Sequence, residues 1–249
     1  MKAITFDFWG TLMVEGPDYA AQVLPERYEI LLAASDEAGV PAGEAEVRDA
    51  WSQASRKYGD AWRAGVFMSL EDRVAYAFKL LGVRYDPDLV RRTARSLATT
   101  GRDADLVVRP GAREALPELA RHYKLAIVSD TGVSSGAMLR HYLDREGLLP
   151  YFSAFSFSDE TQVFKPDPRA FLAALEAMGV EPAQALHVGD HPRADIAGAR
   201  RSGYPHAVLF GSARPGEAEP EPSARIHDHR ELLGLVKEIE AASRPTKQA

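Results

Sequence analysis

The chain opens on a short apolar run with a β-branched centre, Ala3-Ile4-Thr5-Phe6, that delivers an aspartate, Asp7, and is then broken by Gly10. Such a segment predicts a buried strand with a carboxylate at its carboxyl end, the edge where open α/β sheets bind their ligands. The pattern recurs. Leu125-Ala126-Ile127-Val128 runs into Ser129-Asp130, and Ala185-Leu186-His187-Val188 runs into Gly189-Asp190. Strands of this kind, separated by helical spacings, predict a doubly wound parallel sheet of Rossmann-like α/β class. Further strands are expected at 154–157 and 206–210, with helices at about 110–122, 167–178, 194–202 and 231–241.

Between the first strand and about residue 100 the periodicity is helical throughout. Four helices are expected, near 18–38, 43–64, 69–81 and 86–98. Ser69 and Asp72 stand at capping-box spacing at the start of the third. In the fourth, Leu89, Val90, Ala94 and Leu97 share a face that Arg91, Arg92 and Arg95 avoid. The helical segment is therefore an insertion into the α/β unit. The expected division is a core of residues 1–14 and 101–249 and a helical-bundle cap of residues 15–100, positioned to act as a lid over Asp7. Residues 211–224, rich in Pro, Glu, Ala and Gly, predict a mobile surface loop, and a polar tail closes the chain.

Bulk composition narrows the function classes. A formal charge of −6, from 30 basic and 36 acidic residues, comes without a basic stripe, which argues against nucleic acid as a partner. The chain has no cysteine, so disulfides, thiolate metal sites and a cysteine nucleophile are out. No apolar run approaches the ~20 residues of a membrane span, and a first strand at residue 3 leaves no room for a signal peptide. A cytoplasmic protein, monomer or homodimer, is the expectation.

Asp7, Ser129, Lys165, Asp190 and Asp195 all fall at strand ends or just ahead of helices. Singly, each has an ordinary structural reading: a turn residue, a loop hydroxyl, a solvated lysine beside the helix-capping Asp167, carboxylates favoured by a helix dipole. Together, three carboxylates at one sheet edge repel unless a cation joins them, and such oxygen ligands suit Mg²⁺.

Asp7-Phe8-Trp9-Gly10-Thr11-Leu12, Val128-Ser129-Asp130, Lys165-Pro166-Asp167-Pro168 and Val188-Gly189-Asp190-x4-Asp195 resemble, in order, the four signature segments of the haloacid dehalogenase-like hydrolase superfamily. The helical insertion resembles that superfamily's first type of cap. The resemblance implies a hydrolase of a small phosphorylated metabolite, with Asp7 as nucleophile forming an aspartyl-phosphate. It implies catalytic roles for Ser129 and Lys165 and substrate contacts from Thr11, Ser129, Asp130 and Lys165. It also implies a Mg²⁺ held by Asp7, Asp190 and the backbone carbonyl of Trp9, with Asp195 ligating or orienting that shell.

One position departs from the pattern. Phosphatases of the superfamily carry a second Asp two residues after the nucleophile as general acid and base, and this chain has Trp9 there. An indole can do neither job, and general acid–base help is worth roughly 10²–10⁴ in rate. His191 and Asp130 are candidate replacements. A substrate with a good leaving group is another solution. An aromatic residue at this position also keeps open a metal-independent 2-haloacid dehalogenase, and loss of the acid a weakly active phosphate-ligand-binding or regulatory protein. In the cap, Trp51, Tyr58, Trp62 and Phe67 are either pocket lining or bundle core. Arg56, Lys57 and Arg63 are either a solvated face or a greeting for an anionic substrate tail.

Overall fold

The computed structural model describes residues 1–212 and 221–242. Its organising feature is strand β1 (Ala3–Phe6), all four residues of which are buried. A strand with both faces apolar belongs at the centre of a parallel sheet, with helices above and below. It lies there: β1 is paired in parallel on one side with β4 (Lys124–Ser129) and on the other with β6 (Ala185–Gly189). The six-stranded order is β5-β4-β1-β6-β7-β8, with β5 at Phe152–Phe157, β7 at His206–Phe210 and β8 at Ala224–Ile226. Every pairing in it is parallel.

The helical insertion comprises α1 (Tyr19–Glu37), α2 (Glu44–Ala64), α3 (Leu70–Leu80) and α4 (Pro87–Ala98), within a residue or two of expectation. These helices share an apolar cluster of their own, including Leu31, Val47, Trp51, Val74, Phe78 and Leu97. Ser69 accepts from the Asp72 amide and Asp72 answers with its carboxylate, closing the anticipated box. Asp86 caps α4, with Pro87 at the first helical position. The sheet's two faces carry separate clusters, one around Phe6, Phe8 and Leu139, the other around Ala126, Phe171 and Leu209.

Several elements differ from the sequence expectation. A two-stranded antiparallel ribbon, β2 (Met13–Glu15) with β3 (Leu106–Val108), joins the two chain crossings between sheet and helical segment. Helix α5 occupies Ala112–Ala120. Helix α6 (Gly136–Arg145), between β4 and β5, was not anticipated, although Ser135 caps it and Met138, Leu139, Tyr142 and Leu143 form its buried stripe. A one-turn helix, α7 (Ser158–Thr161), leads from β5 towards α8 (Pro168–Met178). The helix expected at 194–202 begins earlier, as a π-wound turn at Pro192–Ala197 that tightens into α9 (Gly198–Arg201). Pro192 has no amide hydrogen, and the Asp195 carboxylate reaches back to the His191 amide, which together widen the first turn. Strand β8 ends within two residues of the expected loop at 211–224, and α10 runs from His229 to Ala242. Residues 213–220 of that loop, and 243–249 of the expected polar tail, lie outside the described residues.

Candidate active site

Strand register brings the key side chains together. Phe6 lies opposite Ile127 of β4 and Val188 of β6, so residues just beyond these points share one sheet edge. The Asp7 amide donates to the Val188 carbonyl, 2.9 Å away, which continues the ladder one step past the strand. The chain then turns sharply: the Gly10 amide donates to the Met13 carbonyl and the Leu12 amide to the Phe8 carbonyl. Gly10 has φ +80°, and a Cβ there would overlap the Asp190 carboxylate. Glycine is what allows the loop after β1 to lie against Asp190.

Asp7 is buried and receives the Lys165 ammonium at 2.7 Å. The same ammonium donates to Asp195 Oδ1 at 2.6 Å. Asp195 is wholly buried and also takes a contact from His187 Nε2 at 3.2 Å and the His191 amide at 2.9 Å. His187 Nδ1 meets the Thr5 hydroxyl at 2.8 Å. Asp7, Asp190 and Asp195 each offer a carboxylate oxygen within 4.8 Å of the others.

Burial drives the Asp7 carboxyl above its ordinary value; Lys165 opposes this and Asp195 reinforces it. Burial acts the same way on Asp195, but Lys165 and His187 outweigh it and hold that carboxyl well below its usual range. For Lys165, burial works against the charge, while Asp195, Asp7 and Asp130 overcome it and keep the ammonium protonated. Asp7, Asp190 and Asp195 bring carboxylate oxygens together beside Lys165, a donor set that suits a divalent cation.

Two hydroxyls near this edge await partners. Thr11 Oγ1 and Ser129 Oγ are buried and, among the described residues, have no hydrogen-bond partner of good geometry, although the Ser129 dipole favours the ionised form of Asp7. Unsatisfied buried donors are uncommon and suit an anionic ligand with several acceptor oxygens. Asp130 is differently placed: Oδ2 accepts from Trp62 Nε1 at 2.7 Å and Oδ1 from the Lys165 amide at 3.1 Å. Trp9, half-buried, packs its ring against Phe8, Tyr19 and Tyr142. A cavity of about 620 Å³ is lined by Asp7, Trp9, Asp130, Lys165, Asp190 and Asp195 on the sheet side, and by residues of α1, α2 and α3 opposite.

The family model described as haloacid dehalogenase-like hydrolase matches residues 1–203. The chain belongs to the haloacid dehalogenase-like hydrolase family. It is 37% identical to the phosphoserine phosphatase of Thermus thermophilus over 124 residues, 50% of this chain and 49% of that protein, so it spans about half the length of that relative. A phosphoglycolate phosphatase of Rhodospirillum rubrum is 33% identical over 86% of this chain and 81% of its own length. An (S)-2-haloacid dehalogenase of Xanthobacter autotrophicus is 28% identical over 82% of this chain and 73% of its own. Among solved structures, a HAD phosphatase from Thermococcus onnurineus superposes with a TM-score of 0.62 at 25% identity, covering 95% of this chain and 98% of that one. A 2-haloacid dehalogenase from Pseudomonas syringae has the same fold, with a TM-score of 0.66 at 23% identity and coverage of 96% and 99%. This hydrolase family fold thus accommodates both chemistries. Among the described residues no helix is long and apolar enough to cross a membrane.

Sequence reasoning missed part of the hydrolase's site. Thr5 and His187 are opposite one another on β1 and β6, and their side chains support Asp195 from within the sheet. The legible signal is a polar residue at the same register in two adjacent apolar strands. On the side of the helical segment, Trp51 is core, whereas Tyr58 and Trp62 line the cavity. Arg63 pairs with Asp60 on the surface, Arg56 donates to Ser52, and Lys57 lies over the Tyr76 ring. Among the described residues, the arginines of the helical segment that line the cavity are Arg27 and Arg73.

Proposed function

We propose that the chain is a Mg²⁺-dependent phosphoric monoester hydrolase acting on a small phosphorylated metabolite through Asp7. The observation that carries this is the array at the sheet edge: buried Asp7 held by Lys165, with half-buried Asp190 and buried Asp195 within 4.8 Å. An Asp7 oxygen forms the new bond to phosphorus as the ester P–O bond breaks and the alkoxide departs. Water then attacks the aspartyl-phosphate, releasing phosphate and regenerating the carboxylate. Lys165 neutralises charge on nucleophile and phosphoryl oxygens, and the hydroxyls of Ser129 and Thr11 donate to those oxygens. Bound to Asp7, Asp190 and the Trp9 carbonyl, Mg²⁺ would supply charge neutralisation and orientation for phosphoryl transfer. Asp195 serves better as an orienter than as a ligand, because Lys165, His187 and the His191 amide already occupy its oxygens.

The helices α1–α4, residues 15–100 with their flanks, act as the cap over this edge. Trp62 supplies contacts that close it: its indole donates to Asp130, its carbonyl accepts from Arg193 at 3.1 Å, and its ring packs against His191. With the Trp9 side chain engaged among aromatic rings, protonation of the leaving group falls to another residue or is dispensed with. The hydrolase therefore favours substrates with good leaving groups.

One observation favours a second reading. The aromatic residue at position 9, together with the likeness to an (S)-2-haloacid dehalogenase, is compatible with Asp7 attacking carbon without a metal. Initial rates on aryl, acyl and sugar phosphates, and on 2-haloacids, separate the two. The expected result is phosphate turnover that requires Mg²⁺, is abolished by EDTA, and falls at least about 10³-fold in Asp7→Asn. EDTA-resistant release of halide would establish the alternative.

A further inference from the structure

Four exposed arginines of the helical segment are paired with acids: Arg48 with Glu44, Arg63 with Asp60, Arg91 with Asp88 and Arg92 with Glu37. The two buried arginines are not. Arg27 of α1 and Arg73 of α3 are each only 8% exposed, and both line the cavity that contains Asp7 and Lys165. Arg27 Nε donates to Thr100 Oγ1 at 3.0 Å, and Arg73 donates to Ser55 Oγ. Arg73 lies over the rings of Trp51 and Tyr58, and its buried Nε has no partner. Among the described residues neither guanidinium forms an ion pair with a carboxylate.

This arrangement is costly in an isolated protein. A guanidinium carries five donors, and removing it from water is unfavourable unless an anion compensates. The two cations also oppose each other. Burial pushes the Arg73 guanidinium down to about 10; Tyr58 opposes this, and the Arg27 charge adds a smaller fall. Buried, like-charged, donor-rich groups on one wall of an active-site cavity are matched by a ligand that brings negative oxygens to them.

We propose that Arg27 and Arg73 form a subsite for a second anionic group, a carboxylate or phosphate, at the far end of a small phosphorylated substrate. The phosphoryl end is placed at Asp7 and Lys165, so the proposal rests on the hydrolase reading for its polarity. The cavity of about 620 Å³ sets the scale: it has the volume of a small-molecule site, and a phosphorylated macromolecule cannot enter whole. The cap then selects substrate by charge, with planar guanidinium forks reading planar or tetrahedral oxyanions. Arg27 stands on the same stripe as Val23 and Leu31, where an apolar residue would otherwise complete the packing.

The test is equilibrium titration of the full chain, with Mg²⁺ present, using three non-hydrolysable probes. Methylphosphonate has no tail, phosphonoacetate carries a carboxylate, and methylenediphosphonate carries a second phosphonate. The expected result is that one tailed probe binds at least about tenfold more tightly than methylphosphonate, its identity naming the preferred anion. Arg27→Gln and Arg73→Gln should reduce that preference to within about twofold, and Arg27→Lys should retain part of it. Circular dichroism checks each variant; if Arg73→Gln does not fold, Arg27→Gln and Arg27→Lys carry the comparison. Equal affinity for all three probes, no binding of either tailed probe, or a tail preference that survives in the folded Gln variants would overturn the subsite. Tail preference without phosphate turnover would keep the subsite and remove the phosphatase reading. Turnover with no tail preference would do the reverse.

Discussion

Gly10 carries two constraints at once. Its φ of +80° disfavours any side chain, and a Cβ there would strike the Asp190 carboxylate. Gly10→Ala is expected to displace Asp190, lowering Mg²⁺-dependent turnover by more than about tenfold, with a rise in the Mg²⁺ concentration needed for half-maximal rate. A Mg²⁺ titration of the rate in a folded variant checks it; an unchanged titration would contradict the assigned role of Asp190. Asp130 offers a pH test. Burial raises its carboxyl to about 6, partly offset by Lys165 and the Trp62 indole. A carboxyl whose folded value lies above its unfolded 3.8 binds more protons when folded, so its stabilisation is complete below about pH 4 and is lost as pH rises to about 6. A shift of about two units corresponds to about 3 kcal/mol at most, and partial solvent access reduces this to about 1–2 kcal/mol. The difference in thermal midpoint between the wild type and Asp130→Asn should therefore change across pH 4–6, with the wild type losing ground as pH rises. A parallel pair of curves would rule out Asp130 as the titrating group.

The elements divide into those specified by local pattern and those specified by neighbours. Helix α3 belongs to the first kind. The Ser69 hydroxyl accepts from the Asp72 amide, and Ser69→Ala should cost about 1 kcal/mol, read as a lower urea midpoint at unchanged slope. An unaltered midpoint would mean that packing of Val74, Ala77 and Phe78 alone sustains the helix start. Strand β8 belongs to the second kind. Its three residues pair with β7 at the edge of the sheet, and Ala224-Arg225-Ile226 has too few residues for a period to be read. The ribbon β2–β3 is similar: Met13–Glu15 and Leu106–Val108 are about ninety residues apart, and only the return of the chain from α4 brings them into register. The π-wound turn at Pro192–Ala197 depends on a tertiary contact as well, since Asp195 is drawn inward by Lys165 and His187.

At the scale of the whole molecule, the acidic edge links folding to cation binding. Asp7, Asp190 and Asp195 offer converging carboxylate oxygens, so a divalent cation should stabilise the folded chain. At a free Mg²⁺ concentration of about 100 times its dissociation constant the gain is about 2.7 kcal/mol, visible as a higher thermal midpoint. Asp190→Asn should lose most of that increment while remaining folded. A midpoint indifferent to Mg²⁺ in the wild type would argue against a resident cation.

Much of this arrangement was legible in the chain itself. Apolar runs ending in Asp7, Ser129 and Gly189-Asp190 specify parallel strands with polar ends, because a strand buried on both faces needs no alternation and the sheet edge is where polarity can resume. The four helices of the insertion were legible from period and end signals alone. Not legible were the links that require two distant segments at once. Thr5 supports Asp195 only through His187, which β1–β6 register puts opposite it. Arg27 and Arg73 look like two more surface arginines among many until α1 and α3 fold their charged positions inward, with no carboxylate among the described residues forming an ion pair with them. Local pattern therefore determined the α/β class, the order of elements and the residues at the strand ends. Tertiary structure alone decided which charges are paired and which are left facing the cavity, because pairing depends on distances across the fold that no spacing along the chain encodes.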